Sequence, residues 1–213
     1  MSGADRGEPG ADVWSRRPLA ALYDLQLPLE RRALQALARG LRVDRGDRVL
    51  DVGTGTGAML RELAALPDPP RLATGVDRSA AMLARVPSLP RGWELVEADA
   101  AELPFDSASF DRVVLGYLLH LLDREERRAV LAEAQRVLRP GGLLGTITVA
   151  PPVGRTAQAV WAPLRAVARR GGGLLRGLLP LDPTDELIAA GLRPLRRQRT
   201  RGGYPSLGLI AAR

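Results

Sequence analysis

The chain has 213 residues, 46% of them hydrophobic and 26% charged. That suits one large globular domain and leaves no apolar run of about 18 residues for a transmembrane helix. Cys is absent, which excludes disulfides and thiolate metal sites, and no metal centre is expected. The net charge is +7 and every basic residue is Arg, so the basicity reads as a compositional habit of Arg, Ala, Leu and Gly and not as a nucleic-acid signal.

Met1 to Asp12 mixes Gly, Asp, Glu and Arg without an apolar core. It is expected to be a disordered tail and not a signal peptide, which points to a cytoplasmic protein. Asp12 to Gly40 reads as helical, with Leu19, Leu22, Leu29, Leu34 and Leu37 on its apolar face and Pro18 and Pro28 breaking it into pieces. Val49–Val52 is a predicted strand, and a helix follows from Ala58 to about Leu66. Arg71–Val76 is a second strand, and Ser79 is placed to cap a short helix through Val86. Trp93–Val96 and Phe110–Leu115 are the third and fourth strands. Asp123 and Glu126 have capping-box spacing and open a helix that Pro140-Gly141-Gly142 should end. Leu143–Val149 is a fifth strand. Residues 151–180 are rich in Gly, Pro and Arg, Asp185–Ala190 reads as a helix closed by Gly191, and Leu195–Thr200 with Leu207–Ala211 could form a closing hairpin.

Strands alternating with helices predict an α/β fold: a mostly parallel, doubly wound sheet with helices on both faces, its ligand at the carboxyl ends of the strands. The most informative stretch lies there. Val49-Leu-Asp-Val-Gly-Thr-Gly-Thr-Gly57 is a strand running into a turn with glycines at every second position, where a large ligand can approach the backbone. Asp77 follows the second strand, at the distance from the turn where a carboxylate accepts hydrogen bonds from ribose hydroxyls. Asp99, after the third strand, can accept from an adenine amino group. A pyrophosphate would be repelled by Asp51, Asp77 and Asp99 together, whereas a ligand carrying an ammonium and a sulfonium would be attracted. The competing reading is that these residues only shape turns. An NAD-type oxidoreductase is a second reading, since Gly53-x-Gly55-x-x-Ala58 passes for its fingerprint.

Five blocks carry a family resemblance: residues 49–57, Gly75-Val-Asp77, Glu97-Ala-Asp-Ala-Ala-Glu-Leu-Pro-Phe105, Ser109-Phe-Asp-Arg-Val-Val114 and Arg136-Val-Leu-Arg-Pro-Gly-Gly142. In this order and spacing the chain resembles a class I S-adenosylmethionine-dependent methyltransferase of the small-molecule and quinone-type branch. The resemblance implies a Rossmann-like seven-stranded sheet with an antiparallel last strand. It implies that S-adenosylmethionine binds and that S-adenosylhomocysteine is the product. It places Asp51, Val52, Gly53, Thr54, Gly55 and Gly57 at the amino-acid portion of the cofactor, Asp77 and Arg78 at the ribose, Asp99 and Ala100 at the adenine, and Leu115 and Gly116 at the methionine part. Met82 and Leu103 are either close to the base or ordinary core.

The resemblance also divides the chain: a tail over 1–12, then one methyltransferase domain over 13–213. Within that domain, 13–45 are N-terminal lid helices, 46–150 the cofactor core, 151–180 a variable acceptor or lid segment, and 181–213 a closing helix and strands. His120, the only His, is a candidate general base near the crevice, or a structural residue. Tyr117 and Tyr23 are candidates for contact with the sulfonium or the acceptor. Trp14 belongs to the lid region. The acceptor is expected to be a small apolar or aromatic molecule methylated at O, N or C. A non-catalytic cofactor-binding module is the remaining alternative. Nucleic acid is disfavoured, because Leu115-Gly-Tyr-Leu-Leu-His120 lacks the Asn/Asp-Pro-Pro-aromatic motif. The Arg-rich segment 155–178 is a candidate membrane-surface contact.

Overall fold

The computed structural model describes residues 17–154, Ala162, 179–200 and 205–213. Its elements in chain order are α1 (Arg17–Gly40), β1 (Arg48–Val52), α2 (Ala58–Ala64), β2 (Leu72–Asp77), α3 (Ala80–Leu83), β3 (Trp93–Glu97) and β4 (Phe110–Gly116). A 3-10 turn at Leu119–Leu121 follows, then α4 (Arg124–Val137), β5 (Leu138–Val149), α5 (Thr184–Ala189), β6 (Arg193–Thr200) and β7 (Ser206–Ala212). The seven strands form one sheet in the order β3-β2-β1-β4-β5-β7-β6. All neighbouring pairs from β3 to β5 are parallel, and β7 is antiparallel to both β5 and β6. The expected Rossmann-like sheet with its antiparallel last strand is therefore what forms.

The strand order reverses between β1 and β4. From β1 the chain winds outward to β2 and β3, then returns to place β4 on the other side of β1. Loops leaving these two strands diverge, and the divergence opens a crevice at their carboxyl ends. Each face of the sheet carries its own core. Leu34, Leu37 and Ala38 of α1, Leu41 just past its end, and Met59, Leu60 and Leu63 of α2 cover Val49, Val114, Ile147 and Ile210. Val130, Leu131, Ala134 and Val137 of α4, with Leu187 of α5, cover Leu50, Val113, Leu115 and Leu209 on the other face. The outer strand β6 exposes Arg193, Arg196, Arg197 and Arg199, a charged border that discourages edge-to-edge pairing.

Several residues of the family blocks act as fasteners for this frame. Asp111 accepts the Arg48 N–H at 2.9 Å and both of its oxygens receive Arg139, at 2.7 and 2.9 Å. Burial raises this carboxyl, but those bonds and the Arg charges outweigh it and hold it below the usual range. Arg136 donates to Glu133 and to the carbonyls of Phe105 and Leu103, while Glu133 accepts the Leu103 N–H. The loop after β3 is thereby tied to α4.

Three local expectations are corrected. The N-terminal helix is not broken at Pro28: α1 runs unbroken from Arg17 through that residue, and its buried face turns Leu29 half out to solvent. Pro140-Gly141-Gly142 does not separate helix from strand. The chain is already extended at Leu138, and the Pro-Gly-Gly residues form a bulge inside β5, with Phe110 opposite Leu138 but Arg112 opposite Leu143. Ser79 does not cap α3 with its side chain; the Ser79 N–H is instead taken by Asp77 Oδ1 at 3.0 Å. β3 runs one residue further than expected, to Glu97, and Asp99 follows it as anticipated, two residues beyond its end. The Asp123–Glu126 capping box forms as expected.

Candidate active site

The glycine turn leaves β1 at Val52 and is held at three points. Gly53 and Thr54 both donate N–H to the Val76 carbonyl, at 2.8 and 2.9 Å, and Gly55 donates to Asp77 Oδ2 at 2.8 Å. Gly53, Gly55 and Gly57 all have positive φ, at 71°, 55° and 77°. At Gly53 the requirement is also steric, because a Cβ would stand 3.0 Å from Leu118 of the β4 loop. The glycine therefore lets the loops after β1 and β4 close on each other at the switch point.

Asp51 is completely enclosed beneath this turn and accepts a 2.6 Å hydrogen bond from Thr54 Oγ1. Burial raises its pKa to about 7; the Thr54 bond opposes that shift and the Asp77 charge adds to it. Asp51 and Asp77 are thus close enough to interact electrostatically. Asp77 braces Gly55 and Ser79. Asp99 is exposed and accepts the Ala101 N–H at 2.8 Å. Arg78 is exposed, and Ala100 is half-buried against the α4-side core. Leu115 and Gly116 are the last residues of β4 and not a loop after it. The Leu115 side chain is core, and so is that of Leu103; Met82 is also buried.

The catalytic candidates fare differently. Tyr117 has φ of +55°, a strained backbone for a bulky residue, and its hydroxyl lies 2.6 Å from Ser206 Oγ at the start of β7. It ties β4 to β7. His120 lies in the 3-10 turn and is 8% exposed, with Nδ1 unpartnered. Its ring meets that of Tyr117 edge-on at 6.0 Å. Burial lowers its pKa to about 4, so it is neutral near pH 7 and a weaker base than an ordinary imidazole. The Tyr23 side chain, Trp14 and the 155–178 segment apart from Ala162 lie outside the described residues.

Among the described residues, four buried side-chain atoms lack a hydrogen-bond partner: Glu30 Oε2, Thr56 Oγ1, Ser79 Oγ and His120 Nδ1. Thr56, Ser79 and His120 sit in the loops after β1, β2 and β4. A buried polar atom without a partner is costly, and three of them on three loops at one sheet edge form the lining expected of a polar ligand. The residues present therefore fit a nucleoside cofactor. Of these atoms sequence reasoning had singled out only His120 for function. Thr56 was visible inside the glycine triplet, and Glu30 as a carboxylate one helical turn before Leu34.

The sequence model of a family described as a methyltransferase domain matches residues 49–142. Residues 49–142 are a class I S-adenosylmethionine-dependent methyltransferase domain. S-adenosylmethionine is the cofactor of this family. The chain is 34% identical over 146 residues to a ubiquinone/menaquinone biosynthesis C-methyltransferase of Hahella chejuensis, covering 63% of this chain and 57% of that protein. It is 41% identical over 108 residues to a demethylmenaquinone methyltransferase of Roseiflexus castenholzii, covering 49% and 44%. The chain thus spans about half the length of these curated relatives. A solved S-adenosylmethionine-dependent methyltransferase of Aquifex aeolicus shares the fold, with a TM-score of 0.64, 18% identity, and coverage of 90% of this chain and 96% of that one.

Proposed function

We propose that the protein transfers a methyl group from S-adenosylmethionine to a small apolar or aromatic acceptor of the quinol type, at O, N or C. The observation that carries this reading is the enclosed Asp51 beneath a three-glycine turn, raised to about 7 by burial. Such a carboxyl gains most from a cation and would reject a pyrophosphate, which counts against the NAD-type alternative. Bound cofactor supplies a methyl group already activated on sulfur, so the protein's task is alignment and exclusion of water. Asp51 with the 53–57 turn would hold the amino-acid end. Asp77 would exchange a backbone donor for the ribose hydroxyls, and the 99–100 backbone would flank the adenine. Gly116, where a Cβ would stand 3.6 Å from Leu34 Cδ2 of α1, would face the methionine part. Curated relatives named for quinone methylation support the acceptor class.

The test is a thermal shift. S-adenosylmethionine and S-adenosylhomocysteine should raise the melting temperature, and Asp77→Ala should remove the increase. A larger shift with NAD would overturn the reading.

A further inference from the structure

Glu30 belongs to none of the five family blocks, yet it is 3% exposed and its Oε2 has no partner. Its position follows from the helix that carries it. The buried face of α1 runs from Leu41, just past its end, back through Leu37 and Leu34, and Glu30 continues that face at the next i−4 step. At the low end, Leu37 and Leu41 fill the space over Gly145 in the middle of β5. Higher up, Leu34 stands over Gly116, the last residue of β4. One more turn lifts Glu30 about 6 Å beyond Leu34, to the carboxyl edge of the sheet where β4 gives way to Tyr117 and His120. The neighbouring Arg31 is bonded to Glu62 of α2 at 2.9 Å, which anchors this part of the helix to its neighbour on the same face of the sheet.

We propose that Glu30 is the carboxyl of the acceptor end of the site: it faces the position of the transferable methyl and takes an acceptor that presents a hydroxyl or amine hydrogen. This rests on the cofactor-binding reading given above. In the step assigned to it, the acceptor's X–H bond breaks, the proton forms an O–H bond at Glu30 Oε2, and the electron pair stays on X. Glu30 suits that step better than His120. Burial raises the carboxyl to about 7 with no charged group contributing, which leaves a base of useful strength near neutral pH, whereas the imidazole is pushed down to about 4. An acidic hydroxyl, such as that of a phenol or quinol, matches a base of this strength.

The test needs no knowledge of the acceptor. Sinefungin carries an amine, on a carbon that replaces the sulfur, where the cofactor carries its transferable methyl, and S-adenosylhomocysteine keeps the sulfur with no group on it. Calorimetry should show sinefungin binding the wild-type protein roughly tenfold or more tighter than S-adenosylhomocysteine, the range for one charge-assisted hydrogen bond. Glu30→Gln should bring the two affinities to within about twofold while leaving S-adenosylhomocysteine almost unchanged. Glu30→Asp should keep part of the preference. An equal preference in wild type and Glu30→Gln would overturn the assignment of Glu30 alone. Failure of both compounds to bind the wild-type protein would remove the cofactor site itself, and this assignment with it.

Discussion

Replacing Glu30 by Gln should change how stability depends on pH, and the size of the change follows from burial. The carboxyl titrates near 4.5 in an unfolded chain and at about 7 in the folded protein, with desolvation the cause. Between these values the folded state keeps a proton that the unfolded state has given up. Its contribution is therefore fully present below pH 4.5 and is lost as pH rises through 7. A shift of about 2.5 units corresponds to about 3 kcal/mol. For a chain of this length that is a change in melting temperature of about 6–12 °C. Gln has the same shape and no proton to lose. The difference in melting temperature, Glu30→Gln minus wild type, should start near zero at low pH and grow to that size by about pH 8. Asp51 has the same sign, so only the difference between the two proteins isolates Glu30. Thermal melts in matched buffers measure it. Curves that run parallel from pH 4.5 upward would refute both the enclosure of Glu30 and the position argued from it.

Three further outcomes are expected. Asp77→Ala removes the acceptor for the Gly55 and Ser79 N–H groups and should cost roughly 2–5 kcal/mol in denaturant titration, in addition to abolishing the cofactor-induced shift. Gly57→Ala would force a side chain into a φ of +77° with its Cβ 2.8 Å from Val86 Cγ1; a loss of about 1–3 kcal/mol and weaker cofactor binding should be seen by melts and calorimetry. At about pH 6, below the folded pKa of Asp51, cofactor binding should release about one proton as a cation settles against that carboxyl. Calorimetry in buffers of different ionisation enthalpy would show it, and Asp51→Asn should abolish it.

The sheet was legible because its strands are short apolar runs ended by Gly or Asp, as at Val49–Val52 and Phe110–Leu115, and buried parallel strands need little else. α1 was harder. Its leucines fit more than one helical face, and only packing against Gly145 and Gly116 decides that Leu29 points out while Glu30 points in. The bulge at Pro140–Gly142 was hidden because Pro-Gly-Gly after a helix usually reads as its end. At the site, the glycine turn and its three acids could be seen in sequence. What could not be seen was how each polar atom is spent: the Tyr117 hydroxyl goes to Ser206, an 89-residue separation that no local pattern encodes.

The two raised carboxyls differ in what they answer to. Asp51 lies beneath the turn assigned to the amino-acid end, where the ligand's charge is the same before and after methyl transfer. Glu30 is assigned to the end where the cofactor is a cation and the product is neutral. A carboxyl near 7 in a desolvated site shifts its protonation with the charge it faces, by roughly 1.4 kcal/mol for each unit of pKa. Before transfer the sulfonium favours ionised Glu30, the form able to accept a proton. After transfer the neutral product no longer opposes protonation, so the proton received remains on Oε2. The same burial that weakens the free protein above neutral pH thus gives the site a direction, and a polar, hydrated acid at position 30 would provide neither effect.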